Sequence, residues 1–137
     1  MPAWRREAIG RLPGLKREIE SARNVMALWI DIWHPFCRAY EQTPRNEDFI
    51  RRIYDFADWC AKAPRTNDAA TDPATAVAAA FLEHLPTNPL TREDLPRWFT
   101  AGQILQSRQV FSCHLTEQQF GELVDHLRKH SGRYSPR

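Results

Sequence analysis

Apolar residues between Leu15 and Tyr40 recur at steps of three and four: Leu15, Ile19, Ala22, Met26, Trp29 and Trp33. That spacing holds one stripe on one side of an α-helix. A second stripe of Val25, Leu28, Ile32 and Phe36 begins inside it. From Val25 onward the helix is therefore apolar around most of its circumference, the pattern of a helix wrapped by neighbours. The spacing predicts a helix over Leu15–Tyr40 as the central post of the fold. Pro35 has no N–H and crowds the carbonyl of Asp31, so a kink or a restart is expected there. The polar positions Asn24, Asp31 and Arg38 lie seven apart on one narrow strip, and Asp31 and His34 are placed to touch. Such strips ordinarily serve solvation.

The remaining pattern is also helical. Trp4, Ala8 and Leu12 share a face in the lead-in Met1–Pro13, which reads as a short docked helix. Its Arg and Trp would also suit a membrane-surface anchor, but Glu7 and its short length favour docking. After a turn at Gln42–Arg45, Asn46 is an N-cap for a helix over Glu47–Lys62 with Phe49, Ile53, Phe56, Ala57 and Cys60 inward. Glu47–Arg51, Asp48–Arg52 and Arg51–Asp55 are i,i+4 pairs outside, each adding only about 0.2–0.5 kcal/mol. Ala63–Asp72, APRTNDAATD, has no period and reads as a structureless loop open to proteolysis. Asp72-Pro73 then caps a buried helix over Pro73–His84.

Thr91 with Asp94, Thr100 with Gln103 and Thr116 with Gln119 have capping-box spacing. They predict a turn after Thr91, a helix from Ala101 to Ser112 and a last helix over Glu117–His130. The last carries Phe120, Leu123, Val124 and Leu127 in one stripe. Gly132 stops it, leaving residues 131–137 as a frayed basic tail. No strand pattern or solenoid repeat appears. The fold class is all-α: a compact bundle of five or six helices around a kinked central N-terminal helix, with residues 1–137 as a single helical domain.

Composition changes this picture little. A chain of 137 residues buries about 70% of its unfolded surface and needs no staple. The three cysteines, Cys37, Cys60 and Cys113, form no CxxC pair; their apolar surroundings suggest reduced, buried thiols in a cytoplasmic protein. No run approaches a membrane span, and no apolar signal segment follows the N-terminus. Net charge is +2, which by itself demands no acidic partner. Lys and Arg exceed acids by six to three in Met1–Arg23 and by seven to five in Thr91–Arg137, whereas acids lead by nine to six between them. Basic ends allow a nucleic-acid accessory role, but a nucleic-acid binder would show a denser basic patch with aromatics interleaved.

Phosphate loops, nucleophile elbows, zinc ribbons and HExxH are all absent from the sequence. No catalytic residue is therefore assigned and no cofactor is called for. Three weaker clusters remain. Tyr54, Asp55, Asp58 and Trp59, joined by Arg97 and Trp98, combine the residue types of binding hot spots; alternatively the aromatics are core and the charges ordinary surface. Glu83 and His84, with Cys113 and His114, would supply four metal ligands if the two helix ends met. Capping of helix ends is the plainer role for those histidines. His126 and His130, at i and i+4, can chelate from one face, though no third ligand is visible.

The blocks IRRIYDFADWC, TAVAAAFLEHLP, DLPRWF and HLTEQQFGELVDHL resemble those of a group of small bacterial proteins of unknown function, over roughly Phe36 to Leu127. The resemblance implies a bacterial cytosolic origin and one helical domain, and transfers no catalytic residues. Small stand-alone helical proteins of this kind include immunity proteins, by analogy only. The favoured expectation is a non-enzymatic module that binds another protein, as an immunity or accessory protein. A small metal-binding hydrolase using His84 and His114 is the alternative.

Overall fold

A computed structural model describes residues 1–130, and all regular structure among them is helical, with no strand. The basic tail expected at residues 131–137, with its stop at Gly132, lies outside the described residues. Contacts gather into two units, Met1–Phe81 and a second that begins at Leu82.

The first unit holds α1 (Ala3–Arg11), α2 (Lys16–Ser21), α3 (Val25–Glu41), α4 (Glu47–Lys62) and α5 (Pro73–Ala80), with a 3-10 turn at Pro13–Leu15. Trp4, Ala8 and Leu12 are buried, so the lead-in helix is docked, packing on α4. The helix expected over Leu15–Tyr40 is divided. Its chain leaves helical geometry at Ala22, and Asn24 restarts it by accepting a hydrogen bond from the Ala27 N–H at 2.8 Å. An extended Asn is a strong N-cap, and this one satisfies an orphan donor that a continuous helix would not have. α3 then runs unbroken through Pro35.

The second stripe faces inward, whereas Leu15, Met26 and Trp33 of the first are only half-buried and Ile30 of α3 is exposed. Ile19, Ala22, Val25, Leu28, Trp29, Ile32 and Phe36 are buried, while Asp31, His34 and Arg38 are exposed. α3 packs against α4 and α5. Trp29 stacks between Phe56 at 5.2 Å and Phe81 at 4.7 Å, and Phe36 meets Tyr40, Tyr54 and Phe81 edge-on. Offset and edge-on ring pairs add about 0.5–1.5 kcal/mol each beyond the area they bury. On α4, Ile50 and Tyr54 take the inward place expected of Phe49, which is half-buried. Asp48 accepts from Arg51 and Arg52 together.

The loop 63–72 is ordered by its own polar groups. Asp72 Oδ1 accepts from the Thr66 N–H at 3.0 Å, and Oδ2 accepts from the Thr75 N–H and hydroxyl. Arg65 Nε stands 3.3 Å from the same carboxylate. The Ala70 carbonyl in turn accepts from Met26 N–H in the first turn of α3. The stretch carries no helix or strand, as expected, but it is tethered: Asp72, only 2% exposed, ties both ends of the segment together.

The second unit holds α6 (Pro89–Asp94), α7 (Ala101–Gln106), α8 (Arg108–Phe111) and α9 (Glu117–His130), with 3-10 segments at Leu82–Thr87 and Leu95–Arg97. The capping boxes of Thr100 with Gln103 and Thr116 with Gln119 are both formed. Phe120, Leu123, Val124 and Leu127 are buried as the stripe predicts. Three expectations are corrected. The helix from Pro73 ends at Ala80, where Phe81 leaves helical geometry, so Glu83 and His84 lie in a 3-10 segment. The helix from Ala101 is interrupted at Ser107. Asn88, and not Thr91, caps α6; the Thr91 hydroxyl is buried and donates to the Leu85 carbonyl.

Candidate functional site

The first unit carries a cleft of about 430 Å³, within the range of about 300–1,000 Å³ typical of ligand sites. Four elements build it. α1 supplies Trp4 and Arg5, the α2–α3 joint supplies Arg23 and Asn24, α4 supplies Trp59, and the ordered loop supplies Pro64 and its neighbours. Trp59 is half-buried and stacks one face on Phe56, with ring centroids 6.2 Å apart and planes 9° from parallel. Arg5 donates to the Ile19 and Ala22 carbonyls at the end of α2 and covers the Trp4 ring at 4.7 Å. A guanidinium there satisfies terminal carbonyls and opposes the negative end of the helix dipole. Arg23 is exposed, and no acidic residue lines the cleft.

The patch expected from the sequence is therefore redrawn. Tyr54 is 2% exposed and belongs to the core, its ring edge-on to Phe36 and Phe81. Asp55 is half-buried and Asp58 is exposed, paired with Lys62 at 3.0 Å. Arg97 and Trp98 belong to the second unit, where both donate to the Asp94 carboxylate and the guanidinium covers the Trp98 ring. Of the six residues only Trp59 lines the cleft. Trp4, Arg5 and Arg23 were missed as site residues. Trp4 and Arg5 belong to the lead-in, which the sequence marks as a docked helix or a membrane-surface anchor, and Arg23 carries no signal of its own.

The second unit brings Glu83, His84, Cys113 and His114 together. His84 and His114 lie ring on ring, centroids 4.9 Å apart and planes 20° from parallel. His114 Nε2 stands 3.5 Å from Glu83 Oε1. Cys113 Sγ completes a set of three ligand atoms, from Glu83, Cys113 and His114, all within 4.8 Å of one another. The Glu83 carboxylate, accepting from the thiol, holds Cys113 above the ordinary thiol range. Cys113 is exposed, correcting the expectation of three buried thiols; Cys37 is half-buried and only Cys60 is fully enclosed. Burial pushes the Cys60 thiol up to about 12. A thiol so far from ionisation is inert as a nucleophile or ligand. The His126 and His130 rings are 4.6 Å apart, and His126 Nε2 is bonded to the Glu93 carbonyl. That nitrogen is thereby withdrawn from metal binding.

Among the described residues no helix is long and apolar enough to cross a membrane. Comparison with protein-family models, curated proteins and solved structures gives no match, so function rests on the residues themselves.

Proposed function

We propose that this chain is a non-enzymatic binding module whose first unit takes an extended, proline-containing acidic segment of another protein into the Trp4–Trp59 cleft. One observation carries the reading: an apolar cleft walled by two tryptophans, with Arg23 exposed beside it and no acid in its lining. Aromatic walls suit the flat, preformed rings of a polyproline segment, which loses little entropy on binding. An acidic neighbour in the segment would meet the Arg23 guanidinium at the rim, where charge steers encounter and sets salt dependence. Trp and Arg are the residue types that concentrate binding energy.

The setting proposed is a bacterial cytosolic accessory or immunity protein, with α3 as the centre of its first unit. The resemblance of the four sequence blocks is what supports that setting. Selection of random displayed peptides on the full chain tests the function. Enrichment of proline with Asp or Glu on the wild type, and none on Trp59→Ala with an unchanged melt, is the expected result. Equal enrichment on both proteins would contradict it.

A further inference from the structure

The geometry points to a zinc-class divalent metal site in the second unit, formed by Glu83 Oε1, Cys113 Sγ and His114 Nε2. It rests on residues separate from those of the peptide cleft, so either can fail alone.

Oxygen, sulfur and nitrogen donors together match the borderline-soft preference of zinc, and a set of this kind is foreign to magnesium or calcium. Spacing agrees. Ligands held about 2.0–2.3 Å from a tetrahedral ion stand about 3.3–3.8 Å from one another. Glu83 and His114 are already at 3.5 Å, and no pair in the set exceeds 4.8 Å. Cys113 and His114 are exposed, so small side-chain rotations close the remaining gap without repacking a core.

The backbone beneath is held firmly. The 3-10 segment carrying Glu83 is fastened at its far end, where the Thr91 hydroxyl donates to Leu85 O, Arg92 to Pro86 O, and the Thr87 hydroxyl to His84 O. Cys113 and His114 lie between α8 and α9, where Cys113 N–H donates to Val110 O and Leu115 N–H to Ser112 O. His84 is a positioning residue: its ring lies along His114 and sets that imidazole's plane, while its own nitrogens stay outside the ligand set. Supporting groups of this sort govern how well a ligand is presented. Three protein ligands on an exposed face leave a fourth position for water.

Binding exchanges one proton for the ion. The Cys113 S–H bond breaks, a sulfur–zinc bond forms, and the proton passes to solvent. Glu83, which accepts from the thiol in the free protein, turns its oxygen to the metal.

The test is calorimetric titration of the full chain with zinc chloride, with cobalt(II) as the spectroscopic probe. Expected are one ion per chain, reversal by EDTA and proton uptake by buffer. A thiolate-to-cobalt charge-transfer band should appear and be lost in Cys113→Ser. Affinity should fall at least about tenfold in His114→Ala and Glu83→Gln and be unchanged in His126→Ala. Zinc should also protect Cys113 of the wild-type chain from iodoacetamide, a readout that needs no variant to fold. Absence of binding, an unprotected Cys113, or binding that survives Cys113→Ser and vanishes in His126→Ala would overturn the assignment.

Discussion

The Trp59 indole lies nearly parallel to the Phe56 ring, 9° apart in plane and 6.2 Å between centroids. Phe56 is itself stacked on Trp29. One aromatic column therefore runs from the core of the first unit to the wall of its cleft. Burial divides the roles along that column. Trp29 is fully buried, whereas Trp59 is half-buried. Trp29→Ala is expected to cost about 3–5 kcal/mol of folding stability, the usual penalty for emptying a large aromatic site. Trp59→Ala should cost distinctly less and leave the unfolding cooperative. Urea titration followed by circular dichroism distinguishes them.

Asn24 is the residue that makes two helices of one pattern. Its side chain accepts from Ala27 N–H, and its backbone carbonyl accepts from Leu28 N–H. Asn24→Ala should lower stability by about 1 kcal/mol, within the range of about 0.5–2 for a lost N-cap. Asn24→Asp should retain most of it, because the carboxylate accepts the same bond and favours the positive end of the dipole. Chemical denaturation of the two variants side by side is the measurement.

Asp72 should set part of the acid limb of stability. The Thr75 hydroxyl, followed by the Thr66 and Thr75 N–H groups and Arg65, holds its carboxyl below the ordinary range. The folded state then binds fewer protons than the unfolded state in that range, so stability rises with pH across it. The contribution is complete above the unfolded value of about 3.9 and is lost as pH falls through the lower folded value. Asp72→Asn should flatten the stability profile below about pH 4. A residual slope should remain from Asp48, which Arg52 lowers in the same direction. Because Asp72 also ties the loop, Asp72→Ala should expose the Arg65 bond to trypsin, which limited proteolysis with mass spectrometry would locate.

Reading the chain by its apolar period identified which side chains are buried better than where helices stop. Ile19 and Trp29 were placed on one stripe and are both buried, yet the backbone between them is not one helix. A stripe records a direction in space, and two consecutive helices can share it; only the Asn24 side chain marks the break. Glu83 and His84 show the same limit, since a capping residue and a 3-10 segment have no distinctive period.

Sites were less legible than the fold. Cys113 and His114 lie some thirty residues from Glu83, and no local spacing signals that they meet. The possibility followed from two adjacent ligand pairs, and packing of the Leu82–Thr87 segment against α8 brings it about. Of the Trp4–Trp59 cleft only Trp59 is legible in the sequence, because the rest of its wall comes from α1, the α2–α3 joint and a loop ordered by Asp72. On α4 the buried face is wider than the expected stripe: Ile50 and Tyr54 beside it are buried while Phe49 is half-buried, so Tyr54 belongs to the core.

Arg23 gives the cleft its charge preference. Arg23→Glu should weaken an acidic proline-containing peptide and flatten the salt dependence of its association, since a rim charge acts mainly on the encounter rate. Stopped-flow association at low and high salt checks this, and an unchanged rate at low salt would remove Arg23 from the surface.

Calorimetric titration of one selected peptide into the full chain and into Trp59→Ala addresses the binding function most directly. A hot-spot tryptophan is worth about 2 kcal/mol or more, close to thirtyfold in Kd. The expected result is a loss of at least that size with the melting profile of the variant preserved. Equal affinity for both proteins would contradict binding through the cleft.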